Sequence, residues 1–563
     1  MLKKHNKIAI VYKGQSYSYT QLLQYSSCYA SHFSQKREPQ KVMIFAENCP
    51  EYFFASYGAI RCRAIVVPVD VNSTVNELAY ILADCMPDFL FISPGKRELV
   101  EKAAAQAEFT GNILCASDID TTAVNTMEAS DIVVPPDEET AFLIYTSGTT
   151  GSPKGVMLSF KNIFFMINAV SKNVPIFTAE RNVMVLLPLH HIFPLLGTLV
   201  IPMKVGTTVY ITEGLNAESI LKTLNEGKIA LIIGVPRLYE TLAKGVMAKI
   251  NAKWTTKLIY KIAQRIGSDA LSKIIFRSVH QKFGGHLQYL VSGGAALPIS
   301  IAKIFKALGF YILEGYGMTE TSPMISFTHP GKRKIGYAGY PMKGMDIKIE
   351  SSGEICVRGD NVMKGYYNRP EETAQIIQDG WLHTGDIGLV DKYGVKITGR
   401  IKEIIVASNG KNINPEEIEH EAMQSTKNIK EIAVFMHDEV MQAIVVPEMK
   451  ELRQSSNNNI SEIIRQDIDK FNKSTSLYKR IKRIHISSEE LPKTRLGKIQ
   501  RFCLPSLMEQ VKTKTPDNED STNKSKAYQL LKTFMNRKQA IFLAPTTILR
   551  LTLPWIRSVV WHC

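Results

Sequence analysis

No Cys-x-x-Cys pair occurs in this sequence, and no cysteine falls with histidine at the spacing that holds a metal ion. The eight cysteines (Cys28, Cys49, Cys62, Cys85, Cys115, Cys356, Cys503 and Cys563) stand singly, most in apolar or mixed runs. A disulfide framework and a structural zinc site are thereby set aside, and buried thiols in a reducing compartment are expected. A secretory leader is not expected either. Residues 7–23, KIAIVYKGQSYSYTQLL, read as strand, turn and strand, with an apolar run too short and interrupted for a signal segment. A cytoplasmic protein is the expectation. Acidic residues are the scarcer sign, 53 Asp and Glu against 68 Lys and Arg, giving a net charge of +15. That surplus favours an anionic partner, whether nucleotide, phosphorylated cofactor, acidic protein, lipid headgroup or nucleic acid, without choosing among them. Internal repeats are absent.

What is present has the balance of a soluble globular chain, 45% hydrophobic and 21% charged. Collagen-like, coiled-coil and wholly disordered chains have other compositions. The 563 residues amount to about four ordinary domain lengths, so at least two domains are expected. Residues 42–46 (VMIFA), 64–69 (AIVVPV), 89–93 (FLFIS), 141–146 (AFLIYT), 183–187 (VMVLL), 229–234 (IALIIG) and 287–292 (LQYLVS) read as buried strands. Amphipathic segments such as 51–62 and 75–85 lie between them, the pattern of parallel sheets covered on both faces. From about 336 the texture changes to short strands and glycine turns, a smaller β-rich subdomain. Residues 399–402 (GRIK) lead into a βαβ-like unit: the strand EIIV, a helix around PEEIEHEAM, then the strands EIAVFM and AIVVP. Residues 511–526 have the composition of a disordered linker.

Directly after the strand AFLI, residues 145–156 read YTSGTTGSPKGV. Glycines and small hydroxyl residues this dense let backbone N–H groups approach an anion. Thr146, Ser147, Thr149 and Thr150 add donors, and Lys154 adds charge. The loop reads as a phosphate cradle; a flexible hydroxyl-rich surface loop is the bland alternative. The Walker spacing is absent, so an ordinary P-loop NTPase is not indicated.

The same string resembles the phosphate-loop signature of the acyl-adenylate-forming (AMP-binding) superfamily, which includes acyl-CoA synthetases, adenylation domains and luciferases. Further strings like that family's follow in order: PLHHIF at 188–193, SGGAAL at 292–297, GYGMTET at 315–321, GEICVRGDNVMKGYYNRPEET at 353–373, GWLHTGDIG at 380–388, GRIKEIIVASNGKNINPEEIE at 399–419 and LPKTRLGKIQR at 491–501. The resemblance runs from about residue 8 to 505.

It implies the following roles. Thr146, Ser147, Gly148, Thr149, Thr150, Gly151 and Lys154 cradle phosphate. Gly293, Gly294 and Ala295 lay backbone against adenine, and Tyr316, beside Gly317, offers it a flat face. Thr319 gives a hydroxyl to phosphate, and Glu320 is a hard oxygen ligand for Mg²⁺. Asp386 accepts from the ribose hydroxyls, and the Arg400 fork suits phosphate or ribose oxygens. His191, after His190, lines an acyl or thiol tunnel. Lys402 is the pivot of the C-terminal domain, with Glu403 where relatives often carry Asp. Lys498, picked out from the basic neighbours Arg483, Lys493, Arg495 and Arg501 by Gly497 and the Lys-Thr-x-x-Gly-Lys pattern, stabilises charge on the α-phosphate.

The expected fold is α/β. An N-terminal domain, 1–398, has two sheets with helices and a small β subdomain; a hinge follows at 399–402, then a mobile α+β domain, 403–510, with the active site in the cleft between the domains. The expected reaction turns ATP and a carboxylic acid into acyl-adenylate and pyrophosphate, then transfers the acyl group to a thiol of CoA or of a carrier protein's phosphopantetheine. PRLYETLAKGV at 236–246, GYGMTETSP and SNGKNINPEEIE look most like the long-chain fatty acid branch. A catalytically dead relative is expected to have lost Lys498, Glu320, Arg400 or Asp386, and none is lost. A light-emitting oxygenase shares only the adenylation step. Nucleic acid is not an expected partner.

Residues 525–545 begin like an amphipathic helix, and 546–563 (TTILRLTLPWIRSVVWHC) turn apolar. A spanning helix is disfavoured, because Arg550, Pro554 and Arg557 interrupt a run shorter than the ~20 residues required; a peripheral membrane contact is the alternative. Reading the back-translated 546–563 one base earlier yields DDHIEIDLALDSLGRVAL with permitted codons, the Asp of DSL being forced by Trp555 and Ile556. That string resembles the start of an acyl carrier protein. The tail, 527–563, is therefore read as the remnant of a fused carrier, frameshifted near Pro545 and poorly packed.

Overall fold

The computed structural model describes residues 1–33, 40–146, 153–403, 405–406, 412–438, 440–452, 459–493 and 499–514. Of the stretch 511–526 read as a disordered linker, residues 511–514 close the helix Leu504–Lys514; the rest of it and the tail at 527–563 lie outside the described residues. The chain divides into two compact units: Met1–Ile418 with Lys493–Gln500, and Glu419–Pro492 with the residues from Arg501 on.

In the first unit the Val/Ile runs form parallel sheets, as an apolar strand buried on both faces must. Across one sheet the order is Gly365–Tyr366, Lys154–Ser159, Thr140–Thr146, Ile65–Pro68, Lys41–Phe45, Phe89–Ile92, Asn112–Cys115. The five strands from Thr140–Thr146 to Asn112–Cys115 run parallel. Across the other sheet the order is Tyr340–Pro341, Ser326–Phe327, Tyr311–Tyr316, Tyr289–Ser292, Ile229–Gly234, Asn182–Val185, Val209–Ile211, Ile8–Tyr12, Gln15–Ser18. The amphipathic segments are the helices Pro50–Arg61 and Val75–Cys85. The second starts with a capping box, Thr74 and Glu77 each satisfying the other's backbone N–H. Phe142 and Ile144 of one sheet and Val183, Leu231 and Val291 of the other share one continuous apolar core.

The β-rich region is an antiparallel sheet of Met345–Ile349, Glu354–Gly359, Ile377–Gln378, Trp381–Asp391 and Gly394–Arg400. Lys402 lies in the 3₁₀ turn Ile401–Glu403 that follows it.

The stretch read as a βαβ-like unit is built differently. Ile405–Val406 pairs antiparallel with Asn412–Ile413, and the helix Pro415–Ser425 follows. Ile429–His437 and Val440–Pro447 then form a hairpin. Only two residues separate those strands, and so short a link closes only an antiparallel pair. The parallel βαβ step comes later, from Val440–Pro447 through the helix Ile460–Ser474 to Arg483–Ile486. That helix buries Ile464, Ile468 and Phe471. In the same unit the buried Glu419 accepts from Val434 N at 2.6 Å and takes both guanidinium nitrogens of Arg501, at 2.6 and 2.9 Å.

Candidate functional site

Tyr316 ends the strand Tyr311–Tyr316, and the chain turns at once through Gly317. A Cβ on Gly317 would fall 2.1 Å from the Pro323 carbonyl oxygen, so only glycine lets this turn close. The Tyr316 hydroxyl donates to Asp386 Oδ2 at 3.0 Å and lies 3.3 Å from Thr384 Oγ1. Asp386 is 7% exposed, and its other oxygen accepts from Arg400 Nε at 2.7 Å. Asp386 and Arg400 face each other across the antiparallel pair Trp381–Asp391 and Gly394–Arg400, so sheet register brings them together. Burial by itself would lower the Arg400 pKa; Asp386 outweighs it and holds the guanidinium above its ordinary value. The Arg400 Nη groups make no hydrogen bond among the described residues.

Thr319 and Glu320 sit in the 3₁₀ turn Thr319–Thr321. Glu320 is buried, and its Oε1 accepts from the Tyr366 hydroxyl at 2.7 Å. Its second oxygen accepts no hydrogen bond among the described residues. A buried carboxylate with a spare oxygen is the donor Mg²⁺ takes beside phosphate, so the residues present fit that ion. Lys154 stands over the Tyr366 ring, 5.2 Å from its centroid, and pairs with Glu372. Thr146 and Lys154 are the register pair that ends the Thr140–Thr146 and Lys154–Ser159 ladder. The cradle residues Ser147, Gly148, Thr149, Thr150 and Gly151 lie outside the described residues, and so does Lys498.

His191 caps the turn Ile192–Pro194, its ring 4.0 Å from that of His190. His190 Nε2 is 3.4 Å from Asp70 Oδ2. Burial lowers the two imidazoles to about 4 for His190 and about 3 for His191, where His190 adds to the effect. Both are neutral at physiological pH. Phe193, two residues on, meets the glycine loop, since a Cβ on Gly293 would lie 2.9 Å from the Phe193 ring. Gly293, Gly294 and Ala295 follow the strand Tyr289–Ser292, with Gly294 at φ +81°.

Behind these motifs lies a cavity of about 30 Å³. Its lining is apolar and includes Phe193, Leu196, Val291, Met324 and Phe327, with Gly197 and Ile233 in contact at one wall. The run Leu195–Val200 is a π-helical turn, fully buried, a form often found beside functional sites.

Two groups escaped the sequence reading. Glu354 grips the HTGD segment at two points: Oε2 lies 2.9 Å from His383 Nδ1, and Oε1 accepts from Gly385 N at 2.8 Å. Cys356 Sγ is 3.4 Å from the same His383 nitrogen, so cysteine, histidine and carboxylate do meet in space although no spacing in the sequence signals it. Burial first, then Glu354 and Glu350, push the Cys356 thiol up to about 11. Glu314 is the second. Burial raises its carboxyl pKa to about 8, against a hydrogen bond from the Leu297 backbone, so an acid kept protonated joins the SGGAAL loop to the strand carrying Tyr316. The visible signal was an acid inside a strand's apolar run.

The model of the AMP-binding enzyme family matches residues 2–367, and the model described as AMP-binding enzyme C-terminal domain matches 402–507. The chain is 30% identical over 514 residues to the long-chain-fatty-acid–CoA ligase of Bacillus subtilis (strain 168), covering 82% of this chain and 84% of that one. It is 30% identical over 436 residues to a feruloyl-CoA synthase of an Amycolatopsis species, covering 73% and 79%. Among solved structures, ATP-bound MatB from Rhodopseudomonas palustris superposes with a TM-score of 0.74 at 24% identity, covering 90% of this chain and 97% of that one. Among the described residues no helix is long and apolar enough to cross a membrane.

Proposed function

Because the chain belongs to the AMP-binding enzyme family, we propose that it activates a long-chain fatty acid with ATP and passes the acyl group to the thiol of coenzyme A. The observation that favours an apolar acid is the lining of the cavity, which has no polar side chain; at about 30 Å³ it admits only the first atoms of an acyl group, and a longer chain enters as these side chains move apart. A hydroxycinnamic acid, the kind of acid a feruloyl-CoA synthase takes, brings a phenol that would be buried there without a partner, at a cost of about 1–3 kcal/mol. A fatty chain loses nothing polar and gains roughly 0.8 kcal/mol per buried methylene.

In the first half-reaction the acid's carboxylate attacks the α-phosphorus of ATP, and pyrophosphate leaves. Tyr316 and the Gly293–Gly294–Ala295 backbone hold the adenine. Asp386 accepts from the ribose, and the Nη groups of Arg400 meet ribose or phosphate oxygens. The loop from Thr146 to Gly151 cradles the phosphates, with Thr319 as a further donor. Lys154 joins them as its pairing with Glu372 loosens. Glu320 would hold Mg²⁺, which when bound would supply charge neutralisation at the phosphates. Lys498 meets both the carboxylate and the α-phosphate, where negative charge builds. In the second half-reaction Lys402 is the pivot on which Lys498 withdraws. The thiol then attacks the adenylate carbonyl, and AMP leaves. His191, neutral, lines the path of acyl group or thiol and moves no proton.

The test is pyrophosphate release against fatty acids of graded length and hydroxycinnamic acids, with CoA and a holo carrier protein as alternative acceptors. The reading predicts preference for long-chain acids and thioester formation on CoA. Preference for hydroxycinnamic acids overturns the substrate class, and transfer to the carrier alone overturns the acceptor.

A further inference from the structure

The helix Trp254–Ile266 turns the wrong side of its pattern to water. Trp254, Leu258, Ile262 and Ile266 recur every fourth residue and so form one stripe along the helix. That stripe is exposed: Trp254 is 76% accessible and Ile262 48%. The buried face is a different one, held by Tyr260 and Ala263. Ile259 beside the stripe is exposed as well, and so are Leu271 and Ile274 on the helix Asp269–Ile275, with Ile274 at 73%. Soluble proteins rarely leave so much contiguous aliphatic and indole surface uncovered.

A second stripe runs alongside. Lys253, Lys257, Lys261 and Arg265 also recur every fourth residue, each one position before a member of the apolar stripe, and all four are exposed. Among the described residues none of them pairs with a carboxylate. The bias extends through the whole segment: between Glu240 and Glu314 the sequence has eleven lysines and arginines and a single acid, Asp269, which is itself paired with Arg333. Two-thirds of the net charge of +15 therefore lies in this stretch.

We propose that the Trp254–Ile266 helix docks this protein on a lipid bilayer bearing anionic headgroups. The apolar stripe spans about 18 Å, long enough to lie in the interface plane with its side chains among the upper acyl carbons. Tryptophan prefers that depth, and the basic stripe meets headgroup phosphates beside it. An acidic protein or nucleic acid would use the cations and leave the exposed Trp254, Leu258, Ile262 and Ile274 uncovered. The inference does not depend on which acid the enzyme activates.

The experiment is flotation of the full chain with vesicles of phosphatidylcholine alone and of phosphatidylcholine mixed with phosphatidylglycerol, at low and high salt. The protein is expected to float with the mixed vesicles, less so at high salt. Trp254→Ser/Leu258→Ser/Ile262→Ser should cut partitioning by at least about tenfold, and Lys257→Glu/Lys261→Glu should abolish the preference for the anionic lipid. Both variants should keep wild-type thermal stability and turnover of a water-soluble short-chain acid. Three outcomes overturn the proposal: no binding to either vesicle, binding unchanged in the triple variant, or a vesicle-free dimer that the triple variant dissolves.

Discussion

Replacing Asp386 by Asn separates a structural role from a nucleotide-binding one. The carboxylate now takes the Tyr316 hydroxyl on one oxygen and Arg400 Nε on the other. Arg400 can only donate, so the new amide must turn its oxygen to Arg400 and its NH₂ to Tyr316, whose hydroxyl can accept that hydrogen while donating toward Thr384. The fold survives with a neutral hydrogen bond in place of a charge-assisted one, a loss of about 1–2 kcal/mol, kept small because the Arg400 side chain is 31% exposed. Ribose recognition suffers separately. An amide oxygen already facing Arg400 cannot accept from two ribose hydroxyls, and losing one charged acceptor costs about 1.5–3 kcal/mol, roughly 10- to 150-fold in affinity. Acid-dependent ATP–pyrophosphate exchange across a range of ATP should show KM for ATP raised by that factor with kcat changed far less. Urea unfolding in parallel reports the structural loss. A KM within about threefold of wild type, alongside a lowered unfolding midpoint, would refute the reasoning and leave Asp386 a structural residue.

Lys498→Ala should abolish adenylate formation yet spare thioester formation from synthetic acyl-adenylate; equal loss of both half-reactions contradicts its assignment. Lys402→Pro should do the reverse, since a fixed φ impedes a pivot, and survival of thioester formation would remove Lys402 as hinge. Gly197→Val drives a side chain into Ile233, whose Cδ1 lies 2.3 Å from a Cβ at that site. It should depress kcat/KM for long acids by about fourfold per excluded methylene while sparing short ones, whereas a uniform fall across lengths would show that the cavity does not hold the chain. Glu314 ionises near 4.5 when unfolded but keeps its proton to about 8 when folded. The wild type therefore loses stability as pH rises through that window, and Glu314→Gln should gain on it by about 2–4 kcal/mol toward the alkaline end; urea midpoints with a pH-independent offset would contradict the shift.

The seven β-strand segments and the order of the motifs were legible because continuous Val/Ile runs and glycine-rich turns are local signals. The pairing of Asp386 with Arg400 was not. It depends on the register of two antiparallel strands, which no spacing rule encodes. The same holds for Glu354 with His383, brought across the sheet from 29 positions away, and for Lys154, which the sequence offered as a free cation and the fold pairs with Glu372. The βαβ-like reading of 403–447 failed at its first strand, because Ile405–Val406 pairs with Asn412–Ile413 just before the helix and not across it, a short-range pairing that the strand–helix–strand pattern does not show. The stripe of Trp254, Leu258, Ile262 and Ile266 shows a different limit. A period of four announces an amphipathic helix, but the period is identical whether the apolar face meets core or solvent.

The central claim is that the chain joins an acid to AMP before any thiol takes part. Exchange of labelled pyrophosphate into ATP, with purified full-length chain, Mg²⁺, a long-chain fatty acid and no thiol, tests it most directly. The account predicts exchange that requires the acid, proceeds without CoA, and gives way to thioester and AMP once CoA is added. Exchange that appears only with CoA present, or none with any acid, would contradict it.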